Sequence, residues 1–540
     1  MKKRIVAFAL MLTMVLGLAG CGESAGGGGS TTTTVSGETV EKTVEGSSIT
    51  YNVATDLTKD KITLTYYHFD QDETVEYLAR RFEQLYPNIT VNNVYENVST
   101  FHDSLSTMIE DRNLPDVIMF SDCDYALGRQ LLADISGFWN TDAETQNLAD
   151  TINECNIGCY GTSARFAVPV KFFPGIMYVD RNVVKTLNQQ VPTQNWTWNE
   201  MISLIKNCTV YDRPEGEYFG LGFYNRLDSY YGIASSQSVQ GEFGFDGKDF
   251  DLSAWAIGEQ EFANLKLAGY VAPERGSLEM EAWQGDINAW CGATGRVAVF
   301  SEAFWTYQGT WATENFKQYN LDIVPYVVPA VSAEDASNDH HTIATIDFGG
   351  VTGTCKYQRE AYELLKFMSF GVDGWKTRIE LYNDETLTNS SDLLLKYDVM
   401  PAPITKNEEV WDGYIDMYCA EMDEEHKALW EEYFASCMQP IPFGWTSIAG
   451  YWKFCTEYFN AVNGTGIHNL VDGGTKKAAD YTEEATMKAN WYHAQAMIAY
   501  FGPEGYDILS EEELNFWQQM YDSNGGDAAI PDTSTTETTE

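Results

Sequence analysis

An α/β architecture with sheets flanked by helices and more than one core is what this chain predicts, on three observations. Between Lys61 and Phe120 the pattern alternates strand, helix, strand, helix, strand, which calls for a parallel sheet covered by helices. About 470 residues lie between two polar tails, too many for a single core, so at least two domains are needed. Apolar residues make up 44% of the chain, enough to fill them.

The elements follow in order. Lys61–Tyr67 alternates and is β-rich, a first strand. Glu73–Leu85 carries apolar residues at Val75, Leu78, Ala79, Phe82 and Leu85, one face of a helix stopped by Pro87. Ile89–Val91 is a strand, Phe101–Ile109 a helix, and Pro115–Phe120 a buried parallel strand. Ligand crevices of open α/β sheets form beyond the carboxyl ends of the strands. That rule places Tyr67, His68 and Asp70, then Asp122 and Asp124, at the ligand edge, although a structural role is favoured for His68 and Asp70. For Asp122 and Asp124 a helix cap or solvated loop competes evenly with ligand contact.

Further on, Ala167–Asp180 reads as two β-like runs flanking Lys171–Pro174. Thr197 is placed to cap a helix through Ile202 and Ile205. Phe245–Asp249 is a tight turn; Asp246, Asp249 and Asp251 lack the spacing and terminal Glu of a calcium loop. Val297–Phe300 is a short buried strand that runs into Phe304, Trp305, Tyr307 and Trp311. Trp305 and Tyr307 lie two apart, so an extended backbone points both the same way and makes a flat platform, with core packing the competing use. Leu321–Pro325 and Phe348–Val351 are strands and Ala361–Phe370 a helix. Trp445 and Tyr451 suit a cleft or a core equally. Gly371 to Cys437, with the acidic helix Glu421–Phe434, reads as an elaboration of a second lobe or as a separate small helical domain, and the helices Thr482–Tyr500 and Ser510–Tyr521 are expected to pack on that lobe.

Both ends read differently. Lys2, Lys3 and Arg4 precede an apolar run, Ile5–Leu18, then Leu18-Ala19-Gly20 before Cys21, an export leader too short to span a membrane comfortably. It resembles a bacterial lipoprotein signal, which implies cleavage before Cys21 and a diacylated cysteine; two chains hold a protein on a membrane where one is marginal. Gly22 to about Ser48 is Gly, Ser, Thr and Glu, read as a flexible tether, and Ser523–Glu540 as a disordered acidic tail. The formal charge of −45 becomes −48 without the three basic leader residues, which argues against nucleic acid and against docking on anionic lipid. Of 10 cysteines, those other than Cys21 are an odd, scattered set, so at least one thiol is free and a disulfide framework is excluded. Cys155 and Cys159 are the only close pair, without the second pair a zinc site needs.

Taken in order, the leader, Tyr86-Pro87-Asn88 with Ile89–Val91, Leu114–Val117, Val168-Pro169 with Tyr178–Asp180, Thr197–Glu200, Gly295–Val299 with Trp305, and Gly349-Gly350 before the Glu360–Phe370 helix resemble the extracellular solute-binding proteins of ABC importers, of the maltose/oligosaccharide type. The resemblance implies a two-lobed fold of the periplasmic-binding-protein kind, each lobe a mainly parallel sheet flanked by helices, closing by a hinge on a solute. On this reading 1–20 is the leader, 21–50 the lipidated cysteine and tether, 51–168 and 325–370 the first lobe, 169–324 and 371–522 the second, and 523–540 the tail. Chain crossings fall near Val168–Pro174, near Val324–Pro329 and after Phe370. It also implies that Trp305 stacks on sugar, that Tyr307 is a second aromatic of the same loop, that Asp122 bonds the ligand, and that Trp452 approximates a late cleft aromatic. Lys171, Phe172 and Phe173 stand where family members carry an acidic residue, which puts maltose itself in doubt; Lys171 and Phe173 join the candidate site with Asp124, His68 and Trp445.

Sugars present apolar C–H faces and hydroxyls, so a site for them needs flat aromatics beside carboxylates. The expectation is a monomeric, lipid-anchored receptor on the extracellular face that captures a carbohydrate and hands it to an ABC permease, with no enzymatic activity and no cofactor. A surface glycoside hydrolase, a non-transport sensor or adhesin, and a receptor for a peptide or polyol are the alternatives. P-loop, HExxH and GxSxG motifs are absent.

Overall fold

The computed structural model describes residues 37–70, 72–121, 129–149, 164–214, 216–222, 249–304, 316–331, 342–384, 401–420, 422–437, 440–442, 448–459 and 466–501, with 35, 124, 126 and 244–246. Two strands precede the expected alternation. β1 (Thr39–Thr43) and β2 (Thr50–Ala54) form an antiparallel ribbon, Thr39 opposite Ala54. The tether expected over residues 21–50 therefore ends before Thr39. Its polar composition concealed a strand whose partners are mostly polar: Ser47 Oγ donates to Glu380 at 2.7 Å, Asn52 N to Asp373 at 2.6 Å and Ala54 N to the Tyr86 hydroxyl at 2.9 Å.

β3 (Ile62–His68), α1 (Asp72–Leu85), β4 (Ile89–Tyr95), α2 (Phe101–Glu110) and β5 (Val117–Phe120) follow as the periodicity predicts. All five apolar positions of α1 are buried. β3 pairs in parallel with β4 and β5.

β6 (Val168–Asp180) is one continuous strand rather than two runs around Lys171–Pro174. Its first half lies antiparallel to β10 (Thr342–Val351), which carries on to β5. Its second half lies between β8 (Val297–Ala303) and β9 (Ile323–Tyr326), antiparallel to both. β6 is thus shared by two halves of the molecule. β7 (Phe219–Leu221) adds in parallel to β8, and β11 (Pro440–Pro442) in parallel to the start of β10. The sheet is therefore mixed, its parallel pairs lying outside the crossing strands. Between Phe348↔Pro169 and Asp347↔Lys171 the register shifts, leaving Val170 as the extra residue of a bulge. A proline, which has no N–H for the ladder, is accommodated in such a place.

Beyond β6 a second apolar core gathers Val179, Val184, Trp196, Met201, Ile205 and Val324. α3 (Arg181–Thr186) starts at Asp180, whose side chain accepts the Asn182 and Val183 N–H groups. α4 (Trp198–Asn207) starts at Thr197 with a full capping box to Glu200, as the spacing predicts. A third core packs Phe245, Phe250 and Trp255, the last on α5 (Ser253–Leu267), against Tyr451, Phe454, Ile467, Val471 and Tyr492. The latter group comes from α10 (Tyr451–Phe454), α11 (Ile467–Asp472) and α12 (Thr482–Phe501). Asp249 N donates to Asp246 Oδ1 at 2.8 Å, and Phe245 bridges to Phe250.

After α6 (Gln358–Met368) the chain does not pass wholly to the second half, as residues 371–522 were expected to do. α7 (Val372–Asn383) packs on α1 and α6 of the first half, and Thr377 on it meets the Tyr51 hydroxyl at 3.2 Å. α8 (Glu408–Tyr418) leans on α7, whereas α9 (Glu424–Ser436) reaches the second half, where Arg181 bonds Glu425 at 2.5 Å and His426 bonds Asp322 at 3.1 Å. The segment is a bridge, and its aromatic interior of Trp411, Tyr414, Tyr433 and Phe434 is one with the main core. All six described cysteines are free thiols, five of them buried; burial pushes the Cys208, Cys355 and Cys419 thiols up to about 12, so they act as small apolar side chains.

Candidate functional site at the strand crossing

Three strands meet at Gly175, which sits opposite Ala303 of β8 on one side and Ile343 of β10 on the other. β8 ends at Ala303, opposite Gly175 in the middle of β6. Phe304 itself is fully buried and stacks on Tyr418 at 5.6 Å, a core residue rather than part of a platform. Trp305, Tyr307, Asp122, Trp445 and Cys21 lie outside the described residues.

On the other side of the crossing, Lys171 points into the first half. Its Nζ lies 2.5 Å from Asp70 Oδ1, and it is paired across the sheet with Asp347. The Phe69 and Phe173 rings flank the ammonium at 6.0 and 5.7 Å. All three charged groups are buried. Burial pushes the Asp347 carboxyl up to about 6; Lys171 pulls it down and Asp70 pushes it up further. One cation between two carboxylates keeps the group together, because a buried charge without a partner costs several kcal/mol, on the order of 3–5 when one member of a pair is removed. Lys171 and Phe173 thus stand as a buried ion pair and its apolar wall. The acidic partner that the sequence placed at the ligand edge, Asp70, faces Lys171.

His68 is also buried. Its Nε2 lies 2.5 Å from Asn93 Oδ1, its ring stacks on Tyr66 at 5.2 Å, and Tyr95 crosses its edge at 5.9 Å. Tyr95, the last residue of β4, is 48% exposed. It is the aromatic surface at this edge that the sequence reading did not single out; a tyrosine at the carboxyl end of an edge strand was the available signal.

Asp124 receives the Gly450 N–H on both carboxylate oxygens, at 3.0 and 3.2 Å. Gly450 takes a left-handed conformation, φ +74°, and a side chain there would collide with the Tyr492 carbonyl, so glycine is required. The bond fixes the start of α10 beside the exit of β5. It also sets Trp452, which is 49% exposed, near the ligand edge of that strand, while neighbouring Tyr451 is buried in the third core. Tyr95 at the carboxyl end of β4 and Trp452, two residues beyond the Gly450 that Asp124 holds, are thus exposed aromatic rings on the first sheet's side of the molecule. Surfaces of this kind bind polar solutes that carry apolar faces.

The family model for bacterial extracellular solute-binding proteins matches residues 69–369, more than half of the chain. This protein belongs to the bacterial extracellular solute-binding proteins. The match begins at the exit of β3 and ends with α6, so it takes in both crossing strands and leaves the β1–β2 ribbon and the last helices of the solute-binding protein outside. No curated protein matches it by sequence. Among solved structures it is similar to an ABC substrate-binding protein from Listeria monocytogenes in complex with cycloalternan, at 17% identity and TM-score 0.55, covering 80% of this chain and 98% of that one. A sugar transporter from Rhizobium etli in an open conformation is similar at 15% identity and TM-score 0.57, covering 79% and 98%. The sugar-binding protein MalE from Xanthomonas citri is similar at 11% identity and TM-score 0.55, covering 80% and 98%. At these identities the likeness is one of fold, and the fold is the two-lobed, periplasmic-binding-protein-like one. Among the described residues no helix is long and apolar enough to cross a membrane.

Proposed function

We propose that this solute-binding protein captures a carbohydrate, an oligosaccharide in particular, between its two lobes and delivers it to an ABC permease while held to the outer face of the membrane by a lipid on Cys21. The observation that supports the reading is the end of β8 at Ala303, opposite Gly175 of β6 and two residues before Trp305 in sequence, in a fold shared with proteins solved with cycloalternan and with maltotetraose. Trp305, Tyr307 and Trp452 are the aromatic surfaces of the proposed site, with Tyr95 added from the structure. Asp122 is the proposed hydrogen-bonding carboxylate. Asp124 positions Trp452 through Gly450, and His68 supports Tyr95 from below. Lys171 and Phe173 act one layer beneath, fixing β6 against β3. The protein acts as a monomer, without catalysis and without a cofactor in the solute site.

The test is a thermal-shift and calorimetric screen of the purified chain against mono- and oligosaccharides, with peptides and polyols as controls. A ligand at 100 times its Kd adds about 2.7 kcal/mol to the folded state, which such a screen resolves. A sugar that binds and is recovered intact supports the receptor. A sugar that is recovered cleaved favours a hydrolase, and a shift confined to peptides or polyols discards the carbohydrate.

A further inference from the structure

Away from the strand crossing, α5 and α11 pack together in the third core, and three side chains capable of holding a metal converge between them. Glu259 of α5 and His468 and Asp472 of α11 each bring a donor atom within 4.8 Å of the other two. His468 and Asp472 are four apart, which puts them on one face of the helix. Glu259 is fully buried and its Oε1 lies 2.8 Å from His468 Nδ1. Asp472 is nine-tenths buried; its Oδ2 takes Lys266 Nζ at 2.9 Å, while its Oδ1 is buried with no hydrogen-bond partner among the described residues.

We infer that Glu259, His468 and Asp472 form a binding site for a first-row divalent transition ion of the zinc type, which ties α5 to α11. The unsatisfied Asp472 Oδ1, beside a buried carboxylate and an imidazole, is the position a metal ion would fill. One nitrogen and two carboxylate oxygens are donors that zinc and manganese accept, whereas calcium requires six or more oxygens. Metal bonds of about 2.0–2.2 Å draw their ligands to within roughly 4 Å of one another, so the present spacing needs only a small rotation of one side chain. His468 is the more exposed of the two, its side chain 32% exposed where Glu259 is fully buried. Gly473 and Gly474 end the helix directly after Asp472, so the ligands sit on its last turn. The rival arrangement is a closed ion-pair network of Glu259 with imidazolium His468 and Lys266 with Asp472, which would take up no metal.

The purified full chain, stripped with a chelator and dialysed against micromolar zinc chloride, is assayed for bound metal and for melting temperature, with calcium chloride in parallel. The expected result is about one zinc per chain and a rise of roughly 3 °C at saturating metal, with no rise in calcium. His468→Ala, at a half-exposed position that leaves the fold in place, should weaken uptake more than about tenfold. Asp472→Asn, which keeps shape but removes charge, should do the same without His468 being touched. Zinc uptake that persists in both variants, absence of uptake by the unaltered chain, or an equal response to calcium overturns the site. None of these outcomes depends on sugar binding at the strand crossing.

Discussion

Lys171 of the crossing strand and Asp70 at the exit of β3 form an ion pair of 2.5 Å, both side chains almost wholly withdrawn from solvent, with Asp347 directly across the sheet. The first half of the crossing strand is therefore locked to the first sheet by charge as well as by its ladder. Lys171→Met should destabilise the protein by about 3–5 kcal/mol, because two carboxylates are left without their cation. Adding Asp70→Leu to it should recover a large part of that loss. Urea denaturation of the two single variants and the double variant measures the coupling; equal and additive losses would contradict a functional pair.

Asp347 gives the group a pH signature. Its folded carboxyl is pushed up to about 6, above the 3.8 of a free aspartate, by burial. A raised carboxyl contributes stability that is complete below the unfolded value and disappears as pH rises through the folded one, here between about 4 and 6. Asp347→Asn should therefore match the unaltered protein near pH 4 and exceed it above pH 6, by up to about 3 kcal/mol for a shift of this size. Chemical denaturation at several pH values reads the difference; a variant that is weaker above pH 6 and equal near pH 4 would show that the carboxylate is wanted for its charge.

His493 has the opposite sign. It is buried against Phe245 and Phe250, its Nδ1–H donates to the Ala449 carbonyl at 2.9 Å, and burial lowers its ring to about 4 from 6.5. A depressed histidine contributes stability that is present above the unfolded value and is lost as pH falls from about 6.5 to about 4. The advantage of the unaltered protein over His493→Phe should shrink across that window and be constant above pH 7. Melting temperatures of both forms from pH 4 to pH 8 test it.

The proposed sugar surface separates from the core beneath it by substitution. Tyr95→Ala and Trp452→Ala remove exposed rings and should leave the melting temperature within a degree or two while weakening carbohydrate binding. Trp305→Ala should weaken binding by about 0.5–1.5 kcal/mol beyond the lost area. Phe173→Ala, in contrast, empties a buried position and should cost about 3–5 kcal/mol of stability. Calorimetric titration of each variant with the best sugar from the screen, beside its denaturation curve, distinguishes the two groups; unfolding of Trp305→Ala would assign that ring to the core.

Periodicity carried most of the framework. The α1 stripe, the Thr197–Glu200 capping box and the strands at Ile62, Val117 and Val297 are local patterns, and local patterns are legible in a single chain. Relations between distant segments were not. Lys171 looked like a ligand group because nothing in its neighbours shows that Asp70 comes to meet it, and Asp124 gives no hint that its partner is the Gly450 amide. The β1–β2 ribbon was hidden for another reason: Ser, Thr and Glu in that stretch read as solvated, yet Ser47 and the Asn52 amide bond Glu380 and Asp373 of α7. Residues 371–437 were assigned to one lobe because chain order is a poor guide once a segment visits both.

That ribbon has a mechanical consequence. It follows Val35, whose amide already donates to the Thr141 hydroxyl at 3.0 Å, and it ties the start of the described chain to the first half. Lys42 on it holds the last carbonyls of α1, and Ser47 and Asn52 hold α7. A pull on the chain ahead of this ribbon therefore arrives at α1 and α7 of the first half, and it is passed to the second half through the segments that both halves share, β6 and α9.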